Sequence, residues 1–164
     1  MRRILVLVFL AAAGCDTLGG APGRLRTSAS AYVAHVDEMY VEFEVPVTYT
    51  NTTGRTAYFH GCRPPITPLV EKRLNGGWAV AYEPIYLMCR SERGYPVSAG
   101  DTLQYTLHGR ARLPNSNEDV GALASTYWSV GEVPGTYRLR WAVEERGEGR
   151  TVYSNEFRLT VADR

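Results

Sequence analysis

The sequence predicts that most of this chain folds as an antiparallel β-sandwich. Apolar and polar residues alternate with a period of two over several stretches, which is typical of strands with one buried face. Turn-forming residues recur about every ten positions, as in sandwiches of short strands. Helical periodicity is almost absent. We therefore expect an all-β, Ig-like sandwich of about seven to nine strands at residues 31–164.

The most regular early strand follows residue 40. Its apolar face comprises Val41, Phe43, Val45, Val47 and Tyr49. Proline has no N–H to donate to a neighbouring strand, so Pro46 predicts an open edge or a bulge at that point.

Turn signals separate the strands that follow. Asn51 to Gly54 predict a turn, and Asn75-Gly76-Gly77 predict a β-hairpin. Ala99-Gly100-Asp101 predict another turn. The strands expected between these turns are residues 56–60, 69–74, 78–82 and an alternating stretch from Leu103 to Leu107. Residues 112–125 are expected to be a loop, with a helical turn after Asn117.

The last forty residues predict two further strands. Tyr137, Leu139, Trp141 and Val143 share one face of the first, and Phe157, Leu159 and Val161 share one face of the second. The opposite faces carry Arg138 and Arg140 on the first strand and Glu156 on the second, so we expect ion pairs across the sheet. The core candidates are Phe43, Tyr137, Trp141 and Phe157.

The first fifteen residues have the pattern of an export signal. Arg2 and Arg3 precede ten apolar residues, Ile4 to Ala13, a run too short to span a bilayer. The small residues Ala12 to Gly14 then lead to Cys15. This segment resembles the lipobox of bacterial lipoproteins, which implies cleavage before Cys15 and lipidation of its thiol and its new amine. The alternative is a buried helix with a free thiol.

These features predict a signal peptide at residues 1–14, a lipidated tether at 15–30 and one sandwich domain at 31–164. Without residues 1–14, which hold two arginines and no acidic residue, the chain carries 16 basic and 17 acidic residues, a formal net charge of −1. This balance gives no reason to expect nucleic acid as a partner. We expect a monomer in the cell envelope, anchored to a membrane through Cys15, with its domain outside the cytoplasm.

Lipidation of Cys15 leaves two cysteines. An even pair in an exported protein predicts a disulfide between Cys62 and Cys89. This bond would close a loop of 28 residues and contribute roughly 3.5 kcal/mol by restricting the unfolded chain. Two reduced core cysteines or a redox pair are the alternatives, and no CxxC spacing favours the redox pair.

The order of the turns resembles that of a known family. Asn51 to Gly54, Asn75-Gly76-Gly77-Trp78, Ala99-Gly100-Asp101 and Pro134-Gly135-Thr136-Tyr137 occur in the order found in the intracellular proteinase inhibitor (BsuPI-like) family, over residues 38–161. The resemblance implies an Ig-like sandwich and a role in binding a proteinase.

No catalytic or metal-binding motif is apparent. A nucleophile elbow, a P-loop and a dinucleotide fingerprint are all absent, although a Ser–His–Asp arrangement stays open because its members need not be adjacent. His60 and Cys62 could ligate a metal, but a disulfide would remove the thiol and no second ligand pair stands nearby. His108 is expected to be a solvated surface residue. We expect no enzyme activity, metal or cofactor.

Aromatic residues are the best candidates for contacts with a partner. The candidates are Tyr127, Trp128, Tyr82, Tyr86 and Tyr95. Tyrosine and tryptophan are frequent in binding hot spots because they bury a large area at low entropic cost. The alternative is that they close the ends of the sandwich. The predicted function is binding of a protein or glycan partner by an anchored domain, or else inhibition of an exported proteinase.

Overall fold

The computed structural model describes residues 23–59, 68–84, 94–113, 127–145 and 147–162. Within these ranges the chain is all-β. Its eleven strands are β1 (Arg24–Thr27), β2 (Ala31–Val36), β3 (Tyr40–Thr50), β4 (Ala57–Phe59), β5 (Leu69–Leu74), β6 (Gly77–Tyr82), β7 (Tyr95–Val97), β8 (Thr102–Arg112), β9 (Gly135–Glu145), β10 (Glu148–Tyr153) and β11 (Phe157–Val161).

The strands form one curled sheet with two layers, which confirms the predicted β-sandwich class. Strand β3 pairs with β1, β2 and β8, and we call these four strands the β3 layer. Strand β9 pairs with β4, β5, β10 and β11, and these strands together with β6 and β7 form the β9 layer. The β2–β11 pair, which is parallel, joins the layers, whereas the other pairs are antiparallel.

The strand count exceeds the predicted seven to nine because short strands add to both layers. Strand β1 lies in the segment expected to be a tether and pairs with the C-terminal half of β3. Leu25 points inward from β1 and is buried, so in the described part of the chain the sheet already includes residues 24–27, ahead of the predicted start at residue 31. Burial of this apolar side chain favours the pairing of β1 with β3.

Pro46 lies at a point of β3 where no neighbouring strand needs a hydrogen bond from its nitrogen. One side of β3 pairs continuously with β8, and the other side pairs with β1 and then with β2. The Pro46 carbonyl accepts a hydrogen bond from Ser28 N–H, just past the end of β1. Since the N and O of one strand residue face the same side, the proline nitrogen lies at the gap between β1 and β2. The predicted open edge is therefore this local gap.

The core lies between β3 and β9, and all four core candidates are in it: Phe43, Tyr137, Trp141 and Phe157 are buried. Aromatic contacts connect the layers. Phe59 contacts Tyr49 of β3 at 4.7 Å and Trp141 of β9 at 4.4 Å between ring centroids. Edge-to-face and tilted aromatic pairs of this kind stabilise a core beyond their buried area.

Several predictions fall outside the described residues. These are the signal peptide, lipidation of Cys15, the Cys62–Cys89 disulfide, the placement of Tyr86 and the helical turn after Asn117. Within the described ranges, no helix meets the length and hydropathy needed to cross a bilayer.

Candidate interaction surface

The outward side of the β9 layer carries a cluster of charged and aromatic side chains. Its members are Glu71 and Arg73 of β5, Trp78 of β6, Arg138 and Arg140 of β9, and Tyr153 of β10, and we call it the arginine–aromatic face. Register brings them together, because Glu71 lies opposite Arg138, Arg73 opposite Trp78, and Tyr153 opposite Arg140. Directly opposed residues on one side of a sheet are close enough for side-chain contact.

A single carboxylate binds both arginines of β9. Arg138 Nε donates to Glu71 Oε2 at 2.8 Å, and Arg140 Nη1 lies 3.0 Å from Oε1. The Glu71 side chain is only 5% exposed, whereas those of Arg138 and Arg140 are 22% and 36% exposed. Glu71 therefore acts as a buried anchor that fixes two guanidinium groups at the surface.

The predicted pairing of Arg138 and Arg140 with Glu156 is wrong. Glu156 pairs instead with Arg73 of β5, at 3.4 Å. The reason is register: β11 pairs with only the first residues of β9, Gly135 to Tyr137, so Glu156 lies beyond the end of that pairing. Strand β5 pairs with residues 137–140 of β9 and therefore supplies the carboxylate.

Arg138 is also stacked between two aromatic rings. Its guanidinium carbon lies 4.3 Å from the centroid of the Trp78 ring and 4.0 Å from that of Tyr153. The Arg73 guanidinium lies 5.9 Å from the Trp78 centroid. Cation–π contacts of this length are attractive and become stronger as water is excluded. The Trp78 ring reaches across β5 to make its contact, since β5 separates β6 from β9.

The two β9 arginines keep free donors. Among the described residues, Nη1 and Nη2 of Arg138 and Nε and Nη2 of Arg140 make no other hydrogen bond. Two cations share one anion, so this group carries an excess positive charge. An anionic ligand would find oriented N–H donors without first having to order the arginine side chains.

The β3 layer carries its own charged surface. Arg110 stacks on Tyr40 at 4.3 Å and pairs with Glu42 at 3.0 Å. His108 Nδ1 lies 2.9 Å from Glu44 Oε1, and its exposure agrees with the predicted surface position. Each acidic group here has one basic neighbour. A shallow cleft of about 470 Å³ runs beside them. It is bounded by the side chains of these two pairs together with Tyr32, Val33, His35, Phe43 and Gly109.

Two of the predicted partner-binding aromatics are not exposed. Trp128 and Tyr82 are buried, and both rings contact Phe43, at 5.9 and 5.5 Å between centroids. Tyr127 is exposed, and Tyr95 is partly buried at the start of β7. Both side chains fill core space beside Phe43, so Trp128 and Tyr82 are not available as exposed contact residues.

A lysine lies on the inner side of β5, next to the anchor. Lys72 is buried, its ammonium donates to the Glu132 carbonyl, and it lies 5.8 Å from the Tyr137 ring centroid. Burial lowers the pKa of Lys72 because desolvation disfavours the charged amine, although the nearby Glu132 opposes this shift. Burial also raises the pKa of Tyr137, whose hydroxyl donates to the Val133 carbonyl.

Metal ligands do not converge in the part of the chain described. No group of three or more His, Cys, Asp or Glu side chains there is placed to hold an ion. His60 and Cys62, the pair considered from the sequence, lie outside the described ranges.

Sequence reasoning placed Arg138 and Arg140 on the outer face but missed Glu71, Trp78 and Tyr153. The sequence does contain a signal for one of these contacts, the one between Arg73 and Trp78. Asn75 and Gly76 both have positive φ, 49° and 83°, which forms the two-residue hairpin turn that this dipeptide favours. A two-residue loop fixes register, so Arg73 opposite Trp78 could have been read from the sequence. The β5–β9 pairing is non-local and had no such signal.

Comparison with known proteins adds no relative: neither a family model nor a curated protein matches this sequence.

Proposed function

We propose that this protein is a lipid-anchored, non-enzymatic binding module of the cell envelope. We further propose that its arginine–aromatic face contacts the partner. The observation that carries this proposal is the pair of arginines, Arg138 and Arg140, fixed on Glu71 with part of their donor groups free.

The composition of the face supports a role in binding. Arginine, tryptophan and tyrosine are the residue types most enriched in interface hot spots. Tyr153 is 47% exposed, so it offers contact area beside the arginines. The stacking on Trp78 and the pairing with Glu71 restrict Arg138 before any partner arrives, which lowers the entropic cost of association.

The test is site-specific photo-crosslinking in intact cells. A photoreactive phenylalanine analogue replaces Tyr153 on the arginine–aromatic face or, as the control, Val33 on β2 of the opposite layer, which is 52% exposed. We expect an adduct from position 153 that Arg140→Gln weakens, and none of the same size from position 33. Equal labelling from both positions, or none from 153, would contradict the proposal.

The proteinase-inhibitor alternative predicts a different outcome. An inhibitor would form a stable complex with an exported proteinase and suppress its activity, with loss of suppression on changing the contact residues. Assaying the protein against secreted proteinases of the same organism distinguishes the two functions, because a binding module leaves their activity unchanged.

Anchoring through Cys15 is a separate part of the proposal. Each buried CH₂ of an acyl chain contributes about 0.8 kcal/mol, and one chain alone binds a bilayer only marginally. Two or more chains on Cys15 would therefore hold the domain at the membrane. Replacing Cys15 by serine should move the protein from the membrane to the soluble fraction. Unchanged membrane retention would rule out the lipid anchor.

A further inference from the structure

We infer that the arginine–aromatic face binds an acidic, extended polypeptide segment of a partner protein. The inference rests on the proposed function and specifies the chemistry of its partner. Four features support it: the local charge, the geometry of the free donors, their spacing along β9 and the coverage of the aromatic rings.

The charge balance of the face favours an anion. Glu71 uses both oxygens on Arg138 and Arg140, so its single charge is shared between two cations. Arg73 and Glu156 form a longer pair at 3.4 Å, with both side chains about half exposed. The face therefore has one more positive charge than it can neutralise, although the mature chain is close to neutral.

The free donors have the geometry of carboxylate recognition. Arg138 donates from Nε to Glu71, so its two terminal nitrogens, Nη1 and Nη2, are left to bind a carboxylate end-on. Arg140 contacts Glu71 through Nη1, so Nε and Nη2 are left to bind a carboxylate from the side of the guanidinium. Each pair can donate two parallel hydrogen bonds to one carboxylate.

Their spacing matches an extended chain. Arg138 and Arg140 are two residues apart on β9, so their Cα atoms are separated by about 7 Å along the strand. Side chains at positions i and i+2 of an extended peptide repeat at the same interval. An acidic segment lying along β9 can therefore offer one carboxylate to each arginine.

The aromatic rings favour a polypeptide over an acidic glycan. Sugar rings bind tryptophan and tyrosine by stacking on the ring faces. Arg138 already covers one face of Trp78 and one face of Tyr153, at 4.3 and 4.0 Å. Because Arg138 occupies one face of each ring, less ring surface is left for stacking a sugar, which favours a ligand recognised through hydrogen bonds to carboxylate side chains.

The experiment measures binding of fluorescent peptides to the full-length protein in detergent. A peptide of about twelve residues alternating Glu and Ser is compared with one alternating Gln and Ser. We expect the Glu peptide to bind at least about tenfold more tightly, with affinity falling as salt is raised. Arg140→Gln should weaken it about tenfold, and Arg140→Lys, which keeps the charge but loses the fork, should weaken it by less.

Arg110→Gln is the matched control, because Arg110 also stacks on an aromatic ring and pairs with a glutamate. It should change affinity by less than about twofold. Equal binding of the Glu and Gln peptides, or equal losses in Arg110→Gln and Arg140→Gln, would overturn the inference.

Two outcomes separate this inference from the proposed function. Polygalacturonate that binds through Arg140 while the Glu peptide does not would show an acidic glycan as the ligand, so the inference would fail and the binding module would stand. Failure of crosslinking from position 153 would remove the proposed function, and with it the inference, whatever the peptides do.

Discussion

The outward surfaces of the two layers use the same types of side chain and differ in how the charges are shared. On the β3 layer, Arg110 stacks on Tyr40 and pairs with Glu42, and both charged side chains are more than half exposed. On the β9 layer, two arginines share Glu71, which is almost fully buried. On the first surface each carboxylate has one basic residue beside it in solvent, whereas on the second two arginines share one buried carboxylate.

The difference shows that burial, rather than the residue types, determines what an arginine–glutamate pair does. An exposed pair contributes little to stability because water and salt screen it. A buried carboxylate depends on its cations, and removing one partner leaves an uncompensated charge. The cross-strand Glu42–Arg110 pair is accordingly replaceable, whereas Glu71 determines the position of Arg138 and Arg140.

The largest expected effect comes from removing the buried anchor. Glu71→Gln should lower the free energy of unfolding by about 3 kcal/mol, because Arg138 and Arg140 lose their shared countercharge in a poorly solvated site. The matched change Glu42→Gln should cost less than about 1 kcal/mol. Urea unfolding of both variants measures the difference. Similar losses would contradict the distinction between the two surfaces.

A second contrast concerns where each layer tolerates an added methyl group. Gly109 of β8 lies opposite Phe43, and a Cβ there would overlap the Phe43 ring. Gly109→Ala should therefore destabilise the protein by about 2 kcal/mol. Gly149 of β10 has open space around the same position, so Gly149→Ala should change stability by less than about 0.5 kcal/mol. Thermal unfolding compares the two variants, and a tolerated alanine at position 109 would mean that Phe43 can repack.

The stacking contacts should differ in strength by a smaller amount. A double-mutant cycle with Trp78→Ala and Arg138→Gln should give a coupling energy of about 1.5 kcal/mol, because Arg138 is largely desolvated. The equivalent cycle with Tyr40→Ala and Arg110→Gln should give about 0.5 kcal/mol at its exposed site. Equal coupling in the two cycles would show that burial does not strengthen the stack.

The smallest expected effect is the pH dependence of stability, which arises from buried side chains on the inner sides of the same two layers. Burial lowers the pKa of Lys72 in the folded state below its unfolded value of 10.5. Between these two pKa values the unfolded chain binds more protons than the folded one, so stability should rise with pH in that window. Lys72→Met should remove this rise.

Tyr49 of the β3 layer should have the opposite effect. Burial raises its pKa to about 12, with Glu145 contributing, so the folded state keeps a proton that the unfolded state loses above pH 10.0. Stability should fall as the pH rises from 10 towards 12, and Tyr49→Phe should reduce that fall. Unfolding in urea across pH 7 to 11 measures both slopes, and slopes unchanged by the two substitutions would contradict these assignments.

Much of the sandwich could be predicted from local patterns. The alternation at Val41 to Tyr49 and at Tyr137 to Val143 predicts which side of β3 and of β9 is buried, because the side-chain period of a strand is two. The Asn75-Gly76 turn predicts the β5–β6 hairpin for the same local reason. Local patterns could not decide between contact residues and core residues for Trp128 and Tyr82, because burial of an isolated aromatic residue depends on its non-local neighbours.

The sequence by itself determined the fold class, the inward and outward sides of the long strands, and the presence of Arg138 and Arg140 on an outward side. Only the tertiary structure decided what those arginines contact. The pairing of β5 with β9 joins segments 67 residues apart at Glu71 and Arg138, and no local propensity encodes it. That register gives two arginines one buried carboxylate, and the resulting excess charge makes this surface, rather than the β3 layer, the candidate for binding.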